Sequence, residues 1–295
     1  MKIHKHAILI TAYKDFNHLI KIISFFDDNF SFYIHIDKKS KVDINLINAI
    51  KENPKVKFIT QQYVVNWGGF NHLKSILLLC DYAVKKQHHD YYHLISGSDF
   101  PIKNLNYFKD KFSNSNKDYL DCVAVPQDVW KDNGGLDRYE YFNFYDLLNV
   151  KNDREKKMMK WMIKIQKKLQ IKRSYSASFP KIFAGSTWWS LTHESLDYVV
   201  NYTATNQSFL NRFKYTFCSE EFYFQTILKN STFAPKITYD NLRYIDWERK
   251  HGSSPAILDL NDLEKLKNTN AVFARKFDSY FSGELIQKIM NSLND

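Results

Sequence analysis

Glycine and cysteine are both scarce in this chain, with 8 and 3 residues among 295. The cysteines, Cys80, Cys122 and Cys218, show no metal-ligand spacing, and any pairing leaves one thiol over. Each stands among apolar or aromatic neighbours, which suits buried reduced thiols. Long apolar runs are missing too: nothing approaches the ~20 apolar residues of a membrane span. The opening Met1-Lys-Ile-His-Lys-His runs into a strand-like segment with no secretory leader pattern ahead of it. A reducing cytoplasm is therefore the expected setting. There is no internal repeat, low-complexity tract or linker, so one domain is expected over 1–295. No metal site stands out either. His88, His89 and His93 are neighbours in sequence but fall on different elements, and no Asp-x-Asp pair follows an expected strand.

What is present is aromatic and basic. Apolar residues make up 44% and aromatics 16%, with 19 Tyr and 23 Phe, more than a core alone needs. Sugars present C–H faces that stack on such rings, so part of the surplus is expected to line a cleft. The formal charge of +10 attracts polyanions: nucleic acid, anionic membrane or phosphorylated small molecules. Composition does not choose among them.

The first half of the chain alternates strands and helices. His6 to Ala12 is a continuous apolar run, as in a buried strand. Ser31 to Asp37, Val56 to Thr60 and Asp90 to Ser96 read as further strands. Helical spacing joins Phe16, Leu19, Ile20, Ile23 and Phe26, then covers Val42 to Asn53 and Asn71 to Lys86. The pattern predicts an α/β fold with a mostly parallel sheet flanked by helices. From about 126 to 180 the alternation stops, and a basic helical insertion is expected. Its helix, Lys151 to Arg173, carries Met158, Met162, Ile165 and Leu169 as one stripe ringed by lysines. A solvated cover packed on the core is the simpler reading; the surface of an anionic membrane is the alternative. Structure resumes over Phe183 to Thr192, followed by helices over Glu194 to Tyr202 and Glu221 to Asn230 and a helical C-terminal tail.

Four of the glycines fall in three short segments: Asn66-Trp-Gly-Gly-Phe70, Ser96-Gly-Ser-Asp-Phe-Pro-Ile-Lys103 and Gly185-Ser-Thr-Trp-Trp-Ser-Leu191. Each adjoins a strand or helix end, where α/β proteins place ligands. Asp37 ends a strand and is placed to accept from a ribose or uracil, or else to cap a turn. Asp99 follows another strand and either grips a sugar hydroxyl or forms a turn before Phe100-Pro101. Glu220 and Glu221 stand at an expected helix start capped by Ser219. They complement the helix dipole, or one of them, set against Phe222, Tyr223 and Phe224, is a general base. Arg243, Arg275 and Lys276 lie between aromatics and could together neutralise a diphosphate, the alternative being ordinary salt bridges.

Taken in order, YIHIDKKS, WGGF, HLISGSDFPIK, GSTWWSLTHE, SEEFYFQTIL, NLRYIDW and VFARKFD resemble the core-2/I-branching enzyme family, which includes the peptide O-xylosyltransferases. The resemblance covers roughly Ile8 to Phe277. It implies a GT-A type fold, a UDP-sugar donor (N-acetylglucosamine favoured), inversion at the anomeric carbon, and no cofactor or divalent metal. By position, Glu221 matches the family's base, and Arg243, Arg275 and Lys276 match the cations at the diphosphate. Asp37 matches the acid that meets the nucleoside. Trp67, Asp99, Trp188, Trp189 and Glu220 stand as candidate sugar or acceptor contacts. The missing stem and disulfide cysteines imply a bacterial-type member working in the cytoplasm, on a glycan or lipid-linked glycan of a cell-surface polysaccharide, with peripheral membrane contact as an option. A rival class, a non-catalytic binder of nucleic acid or another polyanion, fits the charge, but no nucleic-acid module is recognisable and nucleic acid is not the expected partner.

Overall fold

The computed structural model describes residues 4–113, 115–175 and 179–294; residues 1–3, 114, 176–178 (within the expected insertion) and 295 lie outside the described set. Eleven strands occur among the described residues. They are β1 (His6–Ala12), β2 (Phe30–Ile36), β3 (Val56–Thr60), β4 (Tyr91–Ser96), β5 (Asp99–Pro101), β6 (Tyr119–Leu120), β7 (Val123–Ala124), β8 (Phe183–Ala184), β9 (Trp189–Thr192), β10 (Arg243–Ile245) and β11 (Phe273–Arg275). Six of them form the main sheet in the order β3-β2-β1-β4-β9-β6. The first four are parallel, and β9 and β6 add antiparallel pairings. The expected α/β fold with a mostly parallel sheet flanked by helices is what forms.

The continuous apolar runs are explained by burial on both faces. Along β1, Ala7 and Leu9 join one core with α3 (Phe70–Lys86), while Ile8 and Ile10 join the other. That second core contains α1 (Phe16–Phe25), α4 (Leu105–Ser113) and the C-terminal helix Gly283–Asn294. A helix α2 (Ile44–Glu52) follows β2. Parallel strands that all run one way bring their carboxyl ends to one edge. There Asp37 N–H donates to Ala12 O at 2.8 Å and Gly97 N–H to Thr11 O at 2.9 Å, so the chain leaves the sheet in fixed directions.

The second half departs from the sequence reading in three places. The stretch Phe183 to Thr192 is two strands separated by a loop, because Gly185 must pass close to another chain segment. A Cβ there would lie 1.9 Å from Asp121 O. The helix expected from Glu221 begins at Tyr223; Ser219–Glu221 is a separate 3₁₀ turn. Ser219 is not its cap. Cys218, at φ 50°, reverses the chain, its N–H donating to Gly68 O at 3.0 Å, while Gly185 N–H donates to Glu221 O at 2.8 Å.

The insertion helix is Asp153–Lys168, capped by Asn152 Oδ1 accepting from Arg154 N–H at 2.9 Å. The expected stripe is only partly covered: Met162 and Ile165 are half-buried, while Met158 and Leu169 face outward. Phe142 N–H donates to Gln166 Oε1 at 2.8 Å and Gln166 Nε2 donates to Phe142 O at 3.0 Å. This clasp turns Met159 and Gln166 inward and leaves Met158 and Leu169 exposed.

Gly185→Ala should destabilise the fold by about 1–3 kcal/mol, because backbone on both sides must move. Thermal or urea unfolding measures it, and an unchanged midpoint would show that the close approach is relaxed in solution.

Candidate active site

A cleft of about 1380 Å³ opens along the carboxyl edge of the parallel strands. Its walls come from both halves of the chain, from the loops after β1 and β2 to the segment after β11. Asp37 stands on the wall, largely buried. Its Oδ1 accepts from Lys39 N–H at 3.0 Å and Val65 N–H at 3.1 Å. Those bonds fix the carboxylate at the carboxyl end of the strand, the edge at which open α/β sheets bind ligands. Lys39 Nζ in turn donates to Val65 O at 2.9 Å and Asn66 Oδ1 at 2.6 Å, tying the loop before Trp67 to the same edge. Trp67 sits at the rim, 58% exposed, with its edge on Phe217 and Tyr145.

Glu221 projects from the 3₁₀ turn into the cleft, with 31% of its side chain accessible. Packing around it raises its carboxyl above the ordinary value; Arg138 opposes that rise and Glu220 adds to it. Arg138 Nη2 donates to Glu221 Oε2 at 2.5 Å, and the guanidinium is itself packed on Phe217 and Phe222. The arrangement leaves an ionisable acceptor of increased basicity held in one orientation. Beside it Glu220, buried, has its Oε1 2.9 Å from His72 Nδ1, while its Oε2 has no partner in the protein.

The basic wall is richer than the sequence reading suggested. Lys276 Nζ points at the cleft, 3.4 Å from Ser253 Oγ. Burial first, then Arg275 and the ammonium groups of Lys14 and Lys151, pull Lys276 below the ordinary lysine value. Lys14 and Lys151 share the ring of Tyr13, their Nζ atoms 6.0 and 5.2 Å from its centroid. Lys14 is also paired with Asp278 at 3.2 Å. Like charges crowded at one end of a cleft form an anion site.

Three expected ligand contacts are corrected by their surroundings. Arg243 is buried, donating to Ser190 Oγ at 2.7 Å, Leu94 O at 3.0 Å, Trp189 O at 2.6 Å and also to Asn241 O. It clamps β4, β9 and the Asn241 loop together, and its Nη atoms are taken. Asp99 is wholly buried, with Oδ2 accepting from Ser96 N–H at 2.6 Å and Oδ1 3.3 Å from Arg275 Nε. It supports Arg275 rather than touching a sugar. Trp189 is wholly buried against Phe224. Trp188 does line the cleft, with the Arg275 guanidinium 4.1 Å over its ring. Arg138, His72, Lys14 and Lys151 were not singled out from sequence. Among the described residues, no group of three or more His, Cys, Asp or Glu is placed to hold a metal ion.

Residues 7–267 match the family model described as Core-2/I-Branching enzyme. The chain belongs to that family. A xylosyltransferase of Ciona intestinalis is 25% identical over 303 residues, which is 94% of this chain and 32% of that protein. Xylosyltransferase oxt of Drosophila melanogaster is 24% identical over 84% of this chain and 28% of its own length. A beta-glucuronosyltransferase of Arabidopsis thaliana is 33% identical over 108 residues, 36% of this chain and 24% of that one. The chain thus spans about a third of the length of the curated relatives it matches. Likeness to solved structures is slight. The WbbM bifunctional glycosyltransferase aligns over 98% of this chain and 50% of its own, at TM-score 0.38 and 13% identity. S. aureus TarS in complex with UDP-GlcNAc aligns over 43% and 38%, at 0.29 and 18%.

Affinity for an added diphosphate should fall as pH climbs through the lowered range of Lys276, because only its ammonium form attracts phosphate. The fall should begin at lower pH than an ordinary lysine at ~10.4 would give. Calorimetric titration between neutral and alkaline pH reads it, and Lys276→Arg should flatten the curve. An unchanged slope in that variant would remove Lys276 from the anion site.

Proposed function

We propose that this chain is an inverting, UDP-sugar-dependent glycosyltransferase of GT-A type that acts without a divalent metal. The observation that carries this is the union, in one cleft, of a carboxyl of raised basicity at Glu221 with the cation group Lys14, Lys151, Arg275 and Lys276. Family membership supports the reaction class. The donor lies with its nucleoside against Asp37 and its diphosphate at the lysines.

The reaction is a single displacement. Glu221 accepts the proton of an acceptor hydroxyl as that oxygen bonds to the anomeric carbon. The bond from that carbon to the UDP oxygen breaks on the opposite face. The charge that develops on the leaving diphosphate meets ammonium groups already in place, so little reorganisation accompanies the step. Arg138 keeps Glu221 in register and moderates its basicity. The acceptor is a glycan, in this reading one belonging to a cell-surface polysaccharide. The similarity to xylosyltransferases puts xylose beside N-acetylglucosamine as a donor to test.

Two measurements test this reading. UDP and one UDP-sugar should raise the melting temperature in EDTA; a ligand at a hundred times its Kd contributes about 2.7 kcal/mol. A shift that requires Mn²⁺ would overturn the metal-free account. Glu221→Gln should lower transfer by about 10²–10⁴-fold and leave UDP binding intact. The wild-type rate should also rise with pH through a midpoint above the usual carboxylate range, because the base works only when ionised. Asp121 is pushed up to about 6 by burial and then by Asp240, and it lines the same cleft, so its titration could mimic that limb. Arg138→Gln assigns it: removing the opposing cation should move a Glu221 limb to higher pH. An unmoved limb would take the base role from Glu221.

A further inference from the structure

We propose that the outer face of the insertion helix Asp153–Lys168 is a docking surface for an anionic lipid bilayer. The proposal does not depend on the transferase reading. Residues 158, 161, 165 and 169 follow one ridge at helical spacing, and the clasp between Gln166 and Phe142 turns that ridge away from the core. Met158 is 43% exposed, Trp161 62% and Leu169 62%, with Ile171 beyond the helix end at 45%. Inside, Met159, with Met162 and Ile163 partly covered, supplies the contacts that hold the helix to the protein. The exposed ridge is therefore surplus to packing.

Beside it runs a second ridge, Lys157, Lys160, Lys164 and Lys168, all exposed. The cations that do have partners lie elsewhere: Lys167 pairs with Asp137 and Lys172 with Glu140. Among the described residues, none of the four ridge lysines has a carboxylate partner. An apolar strip with a tryptophan, edged by a row of lysines, matches the layered chemistry of an anionic bilayer: acyl boundary for the strip, phosphate for the lysines. A second copy of this chain would set lysine row against lysine row across a two-fold axis, which the charge disfavours. A nucleic acid would meet the lysines but leave Met158, Trp161 and Leu169 in water. Lys151, two residues ahead of the helix, lines the cleft, so the helix starts close to the site.

The test is sedimentation of the full chain with vesicles of phosphatidylglycerol and phosphatidylcholine, against phosphatidylcholine alone, at low salt. Binding to the anionic vesicles only is expected. Each lysine contributes about fivefold in partition, so Lys160→Gln with Lys164→Gln should weaken binding by an order of magnitude or more. Trp161→Ala should weaken it as well, and both variants should keep the wild-type melting temperature and UDP affinity. Lys51→Gln with Lys86→Gln, which removes the same charge from other helices, should change binding little. Four results would overturn the proposal: no sedimentation with anionic vesicles; equal losses in the ridge and control variants; a dimer in light scattering that Trp161→Ala dissolves; or tighter, ridge-dependent binding to single-stranded RNA than to vesicles.

Discussion

The buried pair of Asp99 and Arg275 is the contact through which the two halves of the molecule become one site. The residues face each other across the antiparallel pairing of β5 with β11, so the loop after β4 and the C-terminal segment are registered by an ion pair at 3.3 Å. Removing one partner from a buried pair costs about 3–5 kcal/mol, since the other charge is left without compensation. Asp99 has its second oxygen held by Ser96 N–H, and Arg275 lies over Trp188, so each end of the pair is braced. Lys276 follows directly and inherits its direction into the cleft from Arg275.

That wall is organised against the protein's own stability. Burial first, and then Arg275, Lys14 and Lys151, depress the ionisation of Lys276, which means that the folded chain holds positive charges closer than it would choose. Asp278 relieves Lys14, and the Tyr13 ring offers a π face to two of the ammonium groups. The dianionic leaving group of the proposed reaction would relieve the rest. In the proposed mechanism the strain is greatest before the donor binds and least when charge has moved onto the diphosphate, which is the order a catalyst needs.

The sequence made the first half legible because burial on both faces forces continuous apolar runs, and because a strand that ends on a carboxylate, as at Asp37, announces the edge of a parallel sheet. Glu221 was only half legible: an acid run into Phe222, Tyr223 and Phe224 reads equally as a first-turn helix residue or as a carboxyl in apolar surroundings, and the structure puts it on a 3₁₀ turn that lines the cleft. What stayed hidden depends on distance along the chain. Arg138 reaches Glu221 across 83 residues and His72 reaches Glu220 across 148, and no local pattern encodes either meeting. Arg243 misled for the opposite reason. An arginine between aromatics is the pattern of a ligand site and equally of a buried clamp, and only the carbonyls of Leu94 and Trp189 around its guanidinium distinguish the two.

The insertion helix was misread through the same ambiguity, with a different consequence. Periodicity shows that apolar residues share a face; it does not say which face meets the core when two adjacent strips are both apolar. Here Met158, Trp161, Ile165 and Leu169 form one strip, and Met159, Met162 and Ile163 form its neighbour. The polar clasp of Gln166 on the Phe142 backbone selects the second for packing. A single glutamine thus decides the outward surface of the helix. Lys151 sits at the foot of the same helix and in the cation wall, so under the two proposals above the bilayer-facing helix and the phosphate-facing lysine belong to one segment. If both proposals hold, the link between bilayer and donor would rest on the placement of one lysine rather than on any separate regulatory element.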